Sequence, residues 1–298
     1  MKKLNNKGFA ISGVVYSLLL LFVILLYAIL SILANRKIIL DKTKKDMLLE
    51  INGEAESEEG TSGPTVADYV FSSLAAQYDG VQSFRNNKWQ DLTGLGNDGS
   101  IRGFEDGGGK KTNYIYFDGK HDSIEIPRTI GYSFSIEIVF STIKGIGTST
   151  KWYQAAGLVD ADVSGVTNDF GISINKNGAI LAGVGNSTGS EYLIYSRNGF
   201  NNGNIQTVSF VRNGAAQKLE LYTNGSKEKE VNGSSNTLSA PTKISIGKIL
   251  STNNYFNGNI YSIRIYSKPL SATEIANNYK VDKARYFLQD PPNPAPLS

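Results

Sequence analysis

Residues 255–279, YFNGNIYSIRIYSKPLSATEIANNY, decide the fold. Between residues 259 and 267, apolar and polar side chains alternate, which is the pattern of a strand with one face in a core. Ser271, followed three residues later by Glu274, has the spacing of a helix capping box. The stretch therefore predicts a long strand followed by a short closing helix.

The same alternation recurs along residues 65–287. It marks seven further segments, at 114–119, 123–126, 132–141, 170–175, 207–212, 218–225 and 243–247. Tight turns with positive φ are predicted where Asn or Asp precedes Gly, at 79–80, 98–99, 118–119, 177–178, 224–225 and 232–233. Ten or more such strands in about 220 residues predict an antiparallel sandwich or jelly roll that buries its core without disulfides.

Four landmarks follow one another in this region. They are LAAQYDG (74–80), WQDLTGLGNDGSIRGF (89–104), NYIYFDGKHDSIEI (113–126) and the 255–279 stretch. Their order resembles the laminin G-like, concanavalin A-like jelly roll, in which a G-N-D-G turn precedes a Y-x-x-F-D-G strand and the last strand leads into a short helix. The resemblance implies a mainly β jelly-roll sandwich over residues 65–287. The alternative is an unrelated β-sandwich.

The resemblance suggests calcium as a cofactor. No cofactor is expected to be required. Relatives often hold Ca²⁺ at the rim of the sandwich through hard oxygen ligands. This implies Asp79, Asp118, Asp122 and Asn259 as candidate ligands, since they lie in turns near the landmarks. The alternative is that Asp and Asn occur there for turn geometry alone.

A binding function is expected, for a glycan or a surface protein. Trp152, Tyr153 and Tyr255 are candidates for stacking on sugar rings. The alternative is that such aromatic residues form core or cross-strand pairs. Nucleic-acid binding is not expected, because no cluster of Lys and Arg is interleaved with aromatic residues.

Enzymatic activity is not expected either. Glycoside hydrolysis needs two carboxylates flanking the sugar bond, whereas Glu125 and Glu137 each stand alone between apolar neighbours. Both are expected on the solvent face of a sheet, and His121 is expected in a surface loop. The chain has no cysteine, which excludes disulfides, thiolate metal sites and a Cys nucleophile.

The N-terminal part of the chain has a different character. Residues 9–34 form an uncharged, largely apolar run of about 26 residues, and about 20 apolar residues suffice to cross a bilayer as a helix. Spaced apolar residues extend this predicted transmembrane α-helix to residue 51. An acidic, Gly- and Pro-containing linker at 52–64 follows, and a proline-rich tail covers 288–298.

The basic leader, residues 1–8, ends in the junction Lys7-Gly8-Phe9. A short basic leader ending in Gly, then Phe and a long apolar helix, resembles type IV prepilins and pseudopilins. The resemblance implies cleavage between Gly8 and Phe9 by a prepilin peptidase, methylation of Phe9, and contacts with other pilin subunits. Gly13 stands where most pilins carry Glu, which argues against a major subunit. The alternative is an uncleaved signal anchor.

The basic residues on either side of the apolar run argue against an extracytoplasmic C-terminal domain. Three lysines precede the run and five basic residues follow it, so a positive-inside count would place the C-terminal side in the cytoplasm. The pilin resemblance and the sandwich both imply an extracytoplasmic domain instead. The leading hypothesis is a single-pass, pilin-like membrane protein that displays a binding module at the cell surface or on a pilus. Its rivals are a structural spacer on a plain anchor and a glycan-cleaving hydrolase.

Overall fold

The computed structural model describes residues 64–81, 84–104, 109–165, 168–186 and 191–286. These residues belong to one compact unit of the chain. The predictions for the leader, the Gly8-Phe9 junction, the membrane helix and the proline-rich tail lie outside them. No helix in this part of the chain combines the length and the apolar character that a membrane crossing requires.

The described residues form seventeen β-strands, two 3-10 turns and one α-helix. In chain order the strands are β1 (Leu74–Asp79), β2 (Phe84–Arg85), β3 (Lys88–Trp89), β4 (Gly99–Arg102), β5 (Gly109–Lys110), β6 (Ile115–Asp118), β7 (Ser123–Pro127), β8 (Phe134–Ser141), β9 (Ala156–Asp160), β10 (Phe170–Ile174), β11 (Ile180–Gly185), β12 (Glu191–Tyr195), β13 (Gln206–Asn213), β14 (Lys218–Thr223), β15 (Ser226–Asn232), β16 (Lys243–Ile246) and β17 (Asn257–Tyr266). The 3-10 turns are Val66–Asp68 and Trp152–Gln154, and the helix α1 is Ala272–Tyr286.

The strands make two antiparallel sheets. The helix-side sheet has the order β15-β14-β13-β8-β17-β6-β5, and β1 also pairs with β17. The cleft-side sheet has the order β12-β11-β10-β9-β16-β7-β4-β3-β2. Two sheets joined by crossovers between them confirm the predicted mainly β sandwich.

One apolar core fills the space between the sheets. Its largest members are fully buried aromatic residues from both sheets, among them Trp89, Phe117, Phe134, Phe170 and Phe210. The rings of Phe134 on β8 and Phe170 on β10 have centroids 5.0 Å apart and so join the two sheets directly. Burying such a side chain stabilises a fold by about 1.5–3 kcal/mol, so the chain has a sufficient core without disulfides.

All eight strand segments expected from alternation coincide with strands, namely β6, β7, β8, β10, β13, β14, β16 and β17. Alternation misses β9 and β11, because these two strands consist almost entirely of apolar residues and glycine and so show no alternation with polar residues. The Asn224-Gly225 turn between β14 and β15 has the expected positive φ, at 49° and 75°. The expectation is wrong for Gly80, Gly99 and Gly233, which do not have positive φ. At Gly80 glycine allows close packing instead, since a Cβ there would lie 2.5 Å from Tyr114 Cα.

Helix α1 begins with the predicted capping box. The Ser271 N–H donates to Glu274 Oε2 at 2.9 Å, and the Glu274 N–H donates to Ser271 Oγ at 3.3 Å. The helix lies over the outer face of the helix-side sheet, where Asn278 donates to Glu137 Oε2 at 2.7 Å.

Glu137 is only 1% exposed, so its predicted place on a solvent face is wrong. Glu125 does lie on an accessible face, where Lys243 pairs with it at 2.8 Å.

Candidate functional site

A cleft of about 260 Å³ opens on the outer face of the cleft-side sheet. Its walls come from the 3-10 turn at 152–154, the β9–β10 and β16–β17 connections, and the strands β11 and β12. Aromatic, acidic and hydroxyl side chains line it together. The lining residues are Trp152, Tyr153, Asp162, Val163, Ser164, Gly165, Asp169, Gly185, Glu191, Ser251 and Thr252.

Trp152 forms the inner wall of the cleft, and two glycines make room for it. Gly171 and Gly183 alternate with core-facing residues of β10 and β11, so they present the outer face of the sheet. A Cβ on Gly183 would lie 2.5 Å from the indole atoms Cε3 and Cζ3, and one on Gly171 would lie 2.2 Å from Cδ1. The indole therefore lies directly against the sheet backbone. It is 1% exposed, and its Nε1 has no hydrogen-bond partner.

Tyr153 is half-buried and is held by the opposite wall. Its ring stands edge-on to Trp152 with centroids 5.2 Å apart. Its hydroxyl donates to Glu191 Oε1 at 2.6 Å, and Lys151 Nζ lies 3.3 Å from Glu191 Oε2. These contacts fix the tyrosine ring at the mouth of the cleft, where a ligand can reach it.

Asp160 lies at the end of β9 and is fully buried beside the cleft. Its Oδ2 accepts the N–H groups of Asp162 at 2.9 Å and Leu250 at 2.8 Å. Its Oδ1 has no hydrogen-bond partner. That oxygen and Trp152 Nε1 lie 2.3 and 2.6 Å from the position that a Cβ on Gly171 would occupy, so the two unpartnered atoms are neighbours.

Asp162 and Asp169 contribute two more carboxylates, both within the cleft lining. Asp162 accepts a hydrogen bond from the Ser251 hydroxyl, and Asp169 accepts the Val163 N–H at 3.1 Å. Burial raises the pKa of Asp160 and of Asp162, and it raises the pKa of Asp169 to about 6. Repulsion from the Asp162 carboxylate adds to the rise in the pKa of both Asp160 and Asp169. Because all three pKa values are raised, the surroundings disfavour the ionised form of these carboxylates.

Two of the four predicted calcium ligands lie in the β6–β7 turn. Asp118 Oδ1 accepts the N–H groups of Lys120 at 2.7 Å and His121 at 3.0 Å, while Asp122 Oδ2 accepts the Asp118 N–H at 2.9 Å. His121 is exposed, as expected for a surface loop, and its Nδ1 lies 3.3 Å from Asp118 Oδ2. These contacts match the turn-geometry alternative for this pair.

The other two predicted ligands have different partners. Asp79 Oδ2 lies 2.7 Å from Arg285 Nη2 and accepts the Tyr286 hydroxyl at 3.0 Å, so it anchors α1. Asn259 donates to Ser141 Oγ at 3.1 Å. Among the described residues, no group of three or more His, Asp or Glu side chains is arranged to hold a metal ion. Calcium binding at the four predicted residues stays a prediction.

The structure brings two of the three predicted ligand-binding aromatics into one site. Trp152 and Tyr153 line the cleft, whereas Tyr255 lies outside its lining and packs with Lys248 Nζ 5.2 Å from its ring centroid. Sequence reasoning missed the acidic members of the cleft. A usable signal was present in DADVS at 160–164, where one Asp ends β9 and a second Asp follows two residues later.

Comparison with known proteins identifies the fold. The laminin G-like family model described as the concanavalin A-like lectin/glucanases superfamily matches residues 118–276. No curated protein matches the chain.

Solved structures with a similar fold include two clostridial binding domains. The receptor-binding domain of botulinum neurotoxin D has a TM-score of 0.54 at 15% identity, with 72% of this chain and 54% of that one covered. The binding domain of Paraclostridial Mosquitocidal Protein 1 has a TM-score of 0.53 at 15% identity, with coverage of 70% and 52%. The chain thus spans about half the length of these structures, and the likeness concerns the fold alone. By the family match over more than half of its length, the chain belongs to the concanavalin A-like lectin/glucanases superfamily.

Proposed function

We propose that the sandwich is a recognition module that binds a glycan in the cleft, without cleaving it. The observation that carries this proposal is the joint lining of the cleft by Trp152, Tyr153, three carboxylates and three Ser or Thr hydroxyl side chains. Sugars combine flat C–H faces, which pack on aromatic rings, with hydroxyl groups that need both donors and acceptors. The cleft supplies all three kinds of contact within a volume that suits one or two sugar rings.

A protein ligand is the alternative binding function. One similar structure is a botulinum neurotoxin DC binding domain in complex with SialylT, and another is the same toxin's domain with rat synaptotagmin II. Members of this fold thus occur in proteins that bind either class of ligand. We favour a glycan because a specific protein interface needs about 800 Å² of surface per partner, and a cleft of this small volume suits a small ligand better.

Binding is tested with the full chain in detergent, applied to a glycan array and then titrated with each retained glycan. We expect at least one glycan to bind, and Tyr153→Ala to weaken that binding tenfold or more because the half-buried ring at the cleft mouth is lost. Tyr195→Ala is the matched control, since Tyr195 is an exposed tyrosine outside the cleft lining. Retention of no glycan would favour the spacer or a protein ligand, and equal binding by Tyr153→Ala would place the site elsewhere.

An oligosaccharide that binds in this titration can also be used to test whether the protein cleaves it. Glu125 pairs with Lys243 and Arg102, and Glu137 is buried under α1, so neither is free to act on a ligand in the cleft. Asp169 carries a raised pKa, which a glycosidase acid also needs. We expect no new reducing ends when a bound oligosaccharide is incubated with the protein. Their appearance, and their loss in Asp169→Asn, would establish the hydrolase instead.

The proposal includes an N-terminal anchor that holds the module outside the cell. Its support is the sequence alone, namely the uncharged run at 9–34 and the Gly8-Phe9 junction. We expect mass spectrometry of the mature protein from the membrane fraction to find an N-terminus at methylated Phe9. An intact Met1 in the membrane fraction would leave the single-pass anchor standing and contradict the pilin-like processing.

A further inference from the structure

We propose that one end of the sandwich docks on an anionic phospholipid surface. This end, called the three-loop tip below, consists of residues 142–151, 175–179 and 196–205, which follow β8, β10 and β12. None of these residues lines the cleft, so the inference goes beyond the proposed glycan binding and does not depend on it. It follows from the exposed apolar side chains of the tip, from the sign of its charge and from the packing of its loops.

Two exposed isoleucines lie in the first loop of the three-loop tip. Ile143 is 71% exposed, the highest value among the exposed large apolar side chains that the structure describes, and Ile146 is 39% exposed. One exposed apolar residue alone would be ordinary. Two isoleucines three residues apart at one end of the fold, however, are apolar side chains that can enter the interfacial layer of a bilayer.

The charged residues of the three-loop tip are all basic. They are Lys144, Lys151, Lys176 and Arg197, and the three segments contain no Asp or Glu. Lys151 and Arg197 form ion pairs with glutamates of the neighbouring strands β12 and β15. Lys144 and Lys176 are exposed, and neither forms an ion pair with another described residue. Two such ammonium groups beside exposed isoleucines complement the negative headgroups of an anionic bilayer.

Direct contacts hold the loops of the tip together. The Gly203 N–H donates to the Thr142 carbonyl oxygen at 2.9 Å, which joins the first loop to the third. Gly145 lies against the second loop so closely that a Cβ there would overlap the carbonyl oxygen of Asn175. The isoleucines and lysines are therefore presented on a preorganised surface, which reduces the entropy lost when it binds.

A lipid surface fits the three-loop tip better than a protein partner does. A specific protein interface needs about 800 Å² of well-packed surface on each side, whereas the tip offers two apolar side chains flanked by cations. Docking on a bilayer needs only shallow insertion of apolar groups together with attraction between cations and many headgroups. The chemistry of the tip therefore points to anionic phospholipid.

The test uses the full chain in nanodiscs of phosphatidylcholine, so that the uncharged run at 9–34 does not itself enter the probe. The probes are sucrose-loaded vesicles of phosphatidylcholine alone and of phosphatidylcholine mixed equally with phosphatidylglycerol, with EDTA present. Nanodiscs sediment only when they bind to these dense vesicles. We expect the mixed vesicles to be bound at least tenfold more tightly than the neutral ones. The preference should shrink as salt is raised, since screening weakens charge attraction.

Single variants assign the binding to the three-loop tip. Ile143→Ser should weaken binding to the mixed vesicles about tenfold, because an apolar side chain no longer enters the interface. Lys144→Gln and Lys176→Gln should weaken it about fivefold each. The matched controls are Leu95→Ser, at a 51% exposed leucine in the β3–β4 connection, and Lys280→Gln, at an exposed lysine on α1. Both controls should bind as wild type does.

The triple variant Ile143→Ser, Lys144→Gln and Lys176→Gln measures the binding that the rest of the chain contributes, including its N-terminal lysines. All three side chains are exposed, so we expect its Tm to stay close to that of wild type. It should lose most of the preference for the mixed vesicles.

Three results would overturn the inference. The first is that neither kind of vesicle is bound, or that both are bound equally, which would leave the tip available to a protein partner. The second is that the triple variant binds the mixed vesicles as tightly as wild type does. The third is that the controls lose as much binding as the tip variants, which would show unspecific charge attraction. None of these results bears on the cleft, whose glycan titration is a separate measurement.

Discussion

Replacing Arg264 by methionine is expected to lower the free energy of unfolding by about 3–5 kcal/mol, because the change leaves buried carboxylates without their cation. Arg264 lies on β17 and is fully buried under α1. Its Nε lies 2.9 Å from Glu137 Oε2, and its Nη2 lies 2.6 Å from Asp282 Oδ2. The guanidinium also packs 4.0 Å from the centroid of the Tyr69 ring.

This one arginine connects three parts of the sandwich. Glu137 belongs to β8, Asp282 to α1, and Tyr69 to the segment before β1, where its hydroxyl donates to Asp282 Oδ1 at 2.6 Å. Burial raises the pKa of Glu137, while the positive charge of Arg264 opposes that rise. Methionine fills a similar volume but provides neither charge nor donors. The expected loss therefore includes both the ion pairs and the docking of α1.

Thermal and urea unfolding of the full chain measure this effect. For a domain of this size the expected change in Tm is on the order of 10 °C. Lys243→Met is the matched control, since it breaks the exposed pair with Glu125 and should cost less than about 1 kcal/mol. The triple change Arg264→Met, Glu137→Gln and Asp282→Asn should recover part of the loss, because it leaves no buried charge unpaired. A single variant as stable as the control would show that the buried network contributes little.

Replacing Trp152 by alanine is expected to cost about 3–5 kcal/mol of stability and to abolish ligand binding. The indole covers the glycine surface of β10 and β11 and forms the inner wall of the cleft. Removing it leaves a void against the sheet and exposes the buried Asp160 carboxylate to water. The loss of binding follows because the cleft no longer has an inner wall.

Unfolding by urea and titration with a glycan retained on the array measure the two effects separately. Tyr255→Ala is the matched control, as this half-buried aromatic lies outside the cleft and should leave binding unchanged. Trp152→Phe adds a finer comparison, because it keeps a ring but removes the Nε1 donor. It should fold, and it should bind more weakly than wild type. Full binding by Trp152→Ala would contradict the assignment of the cleft.

The strands could be predicted wherever the chain alternates between an inner and an outer face. At β17 the alternation is visible because Ile263 and Ile265 point into the core while Arg264 and Tyr266 point outward. The capping box of α1 could be predicted for the same kind of reason, since Ser271 and Glu274 contact each other within one helical turn. Interactions between residues close in sequence leave a pattern that can be recognised without the fold.

Alternation could not predict whether an outward-facing residue is exposed to solvent or covered by another element. Glu125 and Glu137 occupy equivalent positions between apolar neighbours, yet one pairs with a surface lysine and the other is buried under α1. What covers a sheet face is decided by a helix more than a hundred residues away. No local pattern carries that information.

The candidate site likewise combines residues that the sequence predicted with residues that only the fold brought together. The sequence alone determined the β-sandwich, its closing helix and two of the aromatic residues of the cleft, Trp152 and Tyr153. Only the tertiary structure gathered Asp160, Asp162 and Asp169 around them and excluded Tyr255 from the cleft lining. The physical reason is that periodicity and turn chemistry depend on neighbours in the chain. Burial, charge pairing and the shape of a cleft depend instead on which distant segments the packed sheets bring together.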